Sequence, residues 1–300
     1  MISFIIVNYN TKDLLDKCVA GLLEINVEKE VIVVDNASWD GSAQMIEEKY
    51  GGVAKVVLIK SSENVGIAAS HNLALQKARG EYLIFLGTDA YPTEKNIMGL
   101  LEFMDVHTDV GIASPKLVLR DGSMDKDAHR GFPTPWTAIT HFSYLDRLFP
   151  KIRLFNGYYL GSADFSKPHE IDVCICHFMF VRREAQDKVG LWDEDYFVYG
   201  EDVDFCYRIK QAGFKIMFVP DVEVLHYKGA TVGRKTSIDI KTAANTSDEV
   251  KQRMLRETTR AMRLFYEKHY AKIYPKWLTG LVILGITLLG KLRIVLGVNK

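Results

Sequence analysis

Apolar residues cluster in short blocks through the first 120 positions, and longer stretches between them repeat every three or four residues. The blocks at 3–9, 30–36, 53–61 and 81–87 are dense in Val, Ile and Leu, as strands covered on both faces are. Helical spacing follows at 12–25, 40–50, 66–79 and 93–107, with Asp40 and Thr93 placed to cap the second and fourth helices. This alternation predicts an α/β fold: a mostly parallel sheet flanked by helices. Residues 120–170 lose the pattern and are rich in aromatics, Gly and Pro, which reads as a long substrate-side excursion. A strand-like pattern returns at 171–182, and two short apolar segments follow at 214–220 and 222–226. A charged helix is expected over 246–270. It is followed by an uncharged run of 14 residues, 277–290, that ends at Lys291 and Arg293.

Three hundred residues with 48% hydrophobic content suffice for one large core or two joined ones. The formal net charge of zero conceals an asymmetry. Residues 227–300 hold 15 Lys and Arg against 5 Asp and Glu, whereas 1–226 hold 23 against 33. An acidic body with a basic, apolar-ended tail fits a soluble unit docked on an anionic membrane surface. Nucleic acid is not the expected partner, since phosphate binding leaves the apolar end unexplained. The run 277–290 falls short of the ~20 apolar residues of a spanning helix. Lys268, Lys272 and Lys276 alternate with Tyr270, Tyr274 and Trp277, a composition suited to lying in an interface. A homo-oligomer interface is the competing use of that helix. Cys18, Cys174, Cys176 and Cys206 make no disulfide framework, and no basic leader precedes the first strand. The expected location is cytoplasmic, peripheral on the inner face of the membrane.

Candidate chemistry concentrates at 192–208, where six carboxylates fall within the 13 residues 192–204 among Trp192, Tyr196, Phe197 and Tyr199. Solvated acidic stretches do not carry so many rings, and buried ones cannot carry so many unpaired acids. Some of these acids should therefore meet a cation, a metal or a hydroxyl, and Asp202 is the candidate general base. Asp204 and Arg208, four apart, would pair on a helix. Asp35 ends the second strand, where open α/β sheets bind ligands. The first strand runs into Asn8-Tyr9-Asn10 with no glycine-rich turn, which argues against a dinucleotide-binding domain. Gly66 precedes a helix and would let the backbone pass close to a ligand where free N–H groups favour anions. Asp89 and His226 each end an apolar block. A Cys-x-Cys-His zinc site at 174–177 lacks a partner pair at the usual spacing.

Several of these segments occur in a familiar order: Val7-Asn8-Tyr9-Asn10, Val34-Asp35-Asn36-Ala37-Ser38, Asn64-Val65-Gly66 with Asn72, a strand ending at Asp89, Glu201-Asp202-Val203-Asp204, and His226. On these motifs the chain resembles glycosyltransferase family 2, of the GT-A fold, and its rhamnosyltransferase-like members. The resemblance implies a GT-A domain over 1–230, with a nucleotide-sugar half at 1–119 and an acceptor half at 120–230, followed by a basic helical tail at 231–300. It implies a dTDP- or UDP-sugar donor touched by Asn8, Tyr9, Asn10, Asp35, Asn36, Ser38, Asn64, Gly66, Asn72 and Thr88. It also implies a divalent cation, Mn²⁺ or Mg²⁺, held by Asp89 and His226. Transfer would be inverting, with Asp202 as base and Glu201 orienting the acceptor, a glycan or polyprenyl-linked saccharide of cell-surface polysaccharide synthesis. Rhamnose rests on the resemblance alone. A UDP-hexose donor, or an inactive nucleotide-sugar-binding relative, are the alternatives. The chain departs from the family at two places: Gly87 stands where the metal motif has its first acid, and Cys174-Ile175-Cys176-His177 replaces a stretch of small residues, where the larger His177 would reshape the acceptor pocket.

Overall fold

The computed structural model describes residues 1–228 and 248–296. Its first half winds as the alternation predicts. β1 (Ile2–Asn8), α1 (Lys12–Glu24), β2 (Lys29–Asp35), α2 (Ser42–Tyr50), β3 (Val56–Lys60), α3 (Ile67–Leu75) and β4 (Tyr82–Leu86) alternate without exception. β3, β2, β1 and β4 lie side by side, all parallel. Every β4 residue is buried, as are all but one of β1 and all but one of β2, which accounts for the unbroken Val/Ile/Leu runs. Asp40 sits one residue before the cap position of α2. Its carboxylate accepts from the Ser42 N–H of α2 and from the Lys12 N–H of α1, so one side chain serves two helix starts.

The second half is mixed. After β5 (Ala90–Tyr91) come α4 (Glu94–Val106) and β6 (Val110–Val118). Thr93 caps α4 as expected, in a reciprocal box with Asn96. β6 is the strand that sequence pattern misses, because Gly111, Pro115 and Lys116 interrupt its apolar run. The 120–170 excursion holds two short helices, α5 (Pro135–Phe142) and α6 (Leu145–Leu148). The strand expected over 171–182 is two strands, β7 (His169–Ile171) and β8 (Phe178–Arg182), with 172–177 looped between them. Cys174, Cys176 and His177 are therefore not on a strand with alternating faces. α7 (Arg183–Val189), α8 (Glu201–Gln211) and β9 (Lys215–His226) complete the body. β9 joins the two apolar segments 214–220 and 222–226 into one strand. Pro220 is tolerated because the pairing with β6 shifts register between Pro115 and Lys116.

Among the described residues a single sheet runs β3-β2-β1-β4-β8-β6-β9-β5, with β7 beside β9. β8 is antiparallel to both β4 and β6, and it joins the parallel half to the rest. One sheet thus passes through both expected halves, and the expected boundary at 230/231 lies outside the described residues. α9 (Asp248–His269) and α10 (Lys276–Leu296) form the tail. They dock on the body through Tyr196, Ala261, Phe265, Tyr266, Tyr270 and Ile286.

Candidate active site

β1 and β2 end level with each other, with Asn8 paired to Asp35 in register. The Asn8 amide donates to Asp35 Oδ2 at 2.9 Å and to Ser38 Oγ at 3.0 Å, and its carbonyl accepts from Thr11 at 2.7 Å. Ser38 N–H donates to the other Asp35 oxygen at 2.9 Å. Asp35 is held by two donors and keeps lone pairs for a third, as a nucleobase N–H would require. Asn8 is fully buried and spends its amide on this frame, so it positions Asp35 rather than reaching a ligand. Asn10 and Ala37 take left-handed backbone (φ 55° and 62°), a strained conformation at the mouth of both strands. Asn10 accepts from Trp39 N–H, while Tyr9 and Trp39 stand exposed beside it. Asn36 donates to Asn64 at 2.9 Å and accepts from Val65 N–H at 2.9 Å, tying the β3–α3 loop to the end of β2.

Two expectations for this side are corrected. Gly66 does not open its helix start to an anion. Ile67 N–H donates to Phe197 O at 2.9 Å, and a Cβ on Gly66 would lie 2.4 Å from that same oxygen. The close approach is by the 192–200 loop. Asn72 is likewise not free for a donor. Its amide donates to Trp192 O and Glu194 Oε1, and its carbonyl accepts from Trp192 N–H. Both residues pin the acid-rich loop onto α3.

Thr88 and Asp89 follow β4. Thr88 Oγ1 lies 3.0 Å from Thr11 Oγ1, which links this turn to the Asn8–Asp35 frame. Asp89 is completely buried, and neither carboxylate oxygen has a hydrogen-bond partner. His226 ends β9 opposite Ala90, with Nε2 3.6 Å from Asp89 Oδ1 and also without a hydrogen-bond partner. Its Nδ1 bonds Asp125 Oδ2 at 3.0 Å, and Lys228 holds Asp125 from the other side at 2.5 Å. Burial opposes charge on His226, yet Asp125 and Asp89 outweigh it and push the imidazole up to about 9. Burial alone would raise Asp89, but His177 and His226 hold it below the ordinary carboxyl range. An orphaned buried carboxylate facing an orphaned imidazole nitrogen fits a divalent cation. His177, expected to shape the acceptor pocket, stands at this point instead, Nε2 4.0 Å from Asp89 Oδ1. Its neighbours Cys174 and Cys176 contact Cys206 and Glu201, so the three do not form a zinc site.

The acidic block divides by partner. Lys268 of α9 takes Asp193 and Asp195 (the latter at 2.7 Å). Asp204 pairs with Arg208 at 2.8 Å, as the spacing predicted, and with His269 at 2.7 Å. Trp192 stacks on Phe205 at 4.3 Å inside the core. That leaves Glu201 and Asp202, both buried on the first turn of α8. Asp202 accepts from Val203 N–H at 2.8 Å and faces Arg130 at 3.5 Å. Burial and then the charge of Asp202 push Glu201 up to about 8. Burial raises Asp202 too, and Arg130 pulls it back down. Of the two, Arg130 favours the charged form of Asp202, while burial and the charge of Asp202 favour the protonated form of Glu201. His177 lies within electrostatic reach of both Asp89 and Asp202, so the carboxylates of the two halves share one neighbourhood. Arg130 and Asp125, which contact Asp202 and His226, were missed by the sequence reading; the excursion carrying them has no periodicity to mark them.

A parallel α/β half with a buried carboxylate at its strand ends, continued by a mixed half that presents a second acid, is the GT-A arrangement of glycosyltransferases. The description "Glycosyl transferase family 2" matches residues 3–190. The chain belongs to that family and is a glycosyltransferase. It is 28% identical over 257 residues to an N-acetylglucosaminyl-diphospho-decaprenol L-rhamnosyltransferase of Mycobacterium tuberculosis, covering 76% of each. It is 25% identical over 242 residues to the rhamnosyltransferase WbbL of Escherichia coli K12, covering 76% of this chain and 83% of that one. The fold is like that of GalNAc-T7 solved with UDP, GalNAc and Mn²⁺, at a TM-score of 0.60 and 17% identity, over 87% of this chain and 47% of that one.

Proposed function

We propose that the chain is an inverting rhamnosyltransferase that takes L-rhamnose from a dTDP-linked donor and places it on a polyprenyl-diphosphate-linked saccharide in cell-surface polysaccharide synthesis. Asp35, framed by Asn8 and Ser38, accepts the pyrimidine ring N–H, with Tyr9, Asn10, Asn36, Asn64 and Thr88 around the donor. Asp89 and His226 hold a divalent cation, Mn²⁺ or Mg²⁺, which when bound supplies Lewis-acid stabilisation to the departing diphosphate. The acceptor hydroxyl attacks the anomeric carbon from the face opposite the nucleotide. The bond from that carbon to the diphosphate oxygen breaks as the new glycosidic bond forms, and the hydroxyl proton passes to Asp202. Arg130 keeps Asp202 ionised, and neutral Glu201 offers a proton as a hydrogen-bond donor to the acceptor. The rhamnosyl donor and the lipid-linked acceptor are supported by the names of the two relatives. On this reading the enzyme works at the cytoplasmic face of the membrane, which the basic, apolar-ended tail supports.

The observation that carries this reading is the pair Glu201–Asp202, buried beside Arg130, with His177 in electrostatic range of both Asp202 and Asp89. Asp202→Asn tests it. Transfer should fall by roughly 10²–10⁴-fold. The thermal shift given by dTDP-rhamnose with Mn²⁺ should survive, since donor binding stabilises the fold by mass action. A variant that still transfers would remove Asp202 from the base role. A larger shift from UDP-hexoses than from dTDP-rhamnose would replace the donor.

A further inference from the structure

We propose that His177 is a third protein ligand of the cation, and that Gly87 is glycine in order to admit it. The proposal rests on the reading of Asp89 and His226 as ligands, and it says what completes that set.

Gly87 and His177 occupy one volume. Gly87 N–H donates to His177 O at 3.0 Å, continuing the β4–β8 pairing that ends at Leu86 and Phe178. The end of β4 and the loop before β8 are thus fixed against each other. A Cβ built on Gly87 would stand 2.9 Å from Cδ2 of the His177 ring and 2.8 Å from Asp89 Oδ1. A side chain at 87 would therefore force the His177 ring, the Asp89 carboxylate or both to move. On this proposal the two departures of this chain from its family, a missing acid at 87 and an enlarged residue at 177, meet at one point and act as one exchange.

The exchange replaces one donor by another. Candidate ligand atoms of Asp89, His177 and His226 lie within 4.8 Å of one another. Two ligand atoms on a shell of about 2.0–2.2 Å are at most about 4.4 Å apart. The 3.6 Å and 4.0 Å separations of the histidine nitrogens from Asp89 Oδ1 fall inside that limit, and the 4.8 Å span of the whole group exceeds it by an amount that a small side-chain rotation closes. Both oxygens of Asp89 and Nε2 of His226 are buried without a hydrogen-bond partner; on His177 the nitrogen so placed is Nδ1, while Nε2 is the one that faces Asp89. The His177 side chain is still about one-third exposed, which leaves one flank toward the cleft where diphosphate oxygens would complete the shell.

The chemistry changes with the donor. A set of one carboxylate and two imidazoles carries one negative charge fewer than a set of two carboxylates and one imidazole. Mg²⁺ prefers oxygen and dehydrates reluctantly, whereas imidazole nitrogen suits Mn²⁺, Co²⁺ and Zn²⁺. The His177–Gly87 exchange thus selects the borderline transition ions over Mg²⁺.

The test counts histidines rather than turnovers. Electron spin echo spectra of the full-length protein with Mn²⁺ and UDP should show two coordinated imidazoles in the wild type and one in His177→Ala. Calorimetric titration with Mn²⁺ should show about tenfold or greater weakening in His177→Ala and little change for Mg²⁺. His177→Gln keeps a polar side chain of similar length and guards against a local collapse; it should lose the second imidazole in the same way. The exchange Gly87→Asp/His177→Ala should recover divalent binding and shift preference toward Mg²⁺. Asp89→Asn separates the two levels of the argument. If it leaves Mn²⁺ affinity intact, the underlying site is wrong. If it abolishes binding while the His177 variants keep two imidazole signals and wild-type affinity, the site stands and His177 is not a ligand.

Discussion

Two carboxyl groups sit side by side at one helix start, where burial first, and for Glu201 the charge of Asp202 second, opposes ionisation. Glu201 sits at about 8, whereas an ordinary Glu lies near ~4.3. Between those values the folded protein binds a proton that the unfolded chain releases, so this group's contribution to stability falls as pH rises from about 4.3 through about 8. Glu201→Gln carries no such penalty. Its melting temperature should hold above that of the wild type at alkaline pH, and the gap should close on acidification below pH ~5. Differential scanning fluorimetry across that range reads the gap, and parallel curves would show that Glu201 is charged throughout. Asp202 answers to Arg130 in the opposite sense. Arg130→Gln removes the cation that lowers it, so the acid limb of the transfer rate should move to higher pH. At this scale the sequence was informative about acids and silent about their partners. Asp35, Asp89 and Asp202 are legible because each ends a strand or opens a helix. Arg130 is not, because nothing in residues 120–170 repeats. Asn8, Gly66 and Asn72 were found for the wrong reason: they bond to the site's frame, and a position on a motif does not distinguish a contact from a brace.

At the scale of elements, the contact between α3 and the 192–200 loop governs how α8 meets the donor half. Ile67 N–H reaches Phe197 O, and Asn72 holds Trp192 by two hydrogen bonds and Glu194 by a third. Gly66→Ala sets a methyl 2.4 Å from the Phe197 carbonyl on a backbone at φ 89°. The strain alone is worth about 1–3 kcal/mol, and either the loop or the helix start must yield. The melting temperature should drop by roughly 2–10 °C, and transfer should fall further than donor binding, because the displaced loop leads directly into the first turn of α8, which carries Asp202. Equal losses in both would show that the contact supports only the nucleotide half. The parallel strands were legible because both faces are covered, leaving continuous apolar runs. β6 was not, since its Gly111, Pro115 and Lys116 read as a break while the sheet reads them as an approach and a register shift.

For the whole molecule, the question is what the tail adds to the body it packs against. α9 is fastened by acids that the sequence placed near the chemistry: Lys268 holds Asp193 and Asp195, and His269 holds Asp204. α10 runs back along α9, with Tyr266 facing Thr279 and Gly290 resting against Thr259. By length and composition 276–294 suffices to cross a membrane, since the helix continues past Lys291 and Arg293 where the uncharged run stops. Crossing would strip α10 from these α9 contacts and carry two cations into hydrocarbon. Lying flat keeps them. The outward stripe Trp277, Leu281, Leu284, Leu288 and Leu292 then faces lipid, with Lys272, Lys276 and Lys291 at its ends. We therefore expect Leu284→Glu/Leu288→Glu to remain folded, to stop co-sedimenting with phosphatidylglycerol vesicles, and to retain transfer to a short-chain soluble acceptor. Light scattering gives the competing reading its chance: a wild-type dimer that the same double variant converts to a monomer, with vesicle binding unchanged, would make the stripe a subunit contact and leave membrane attachment without a structural basis.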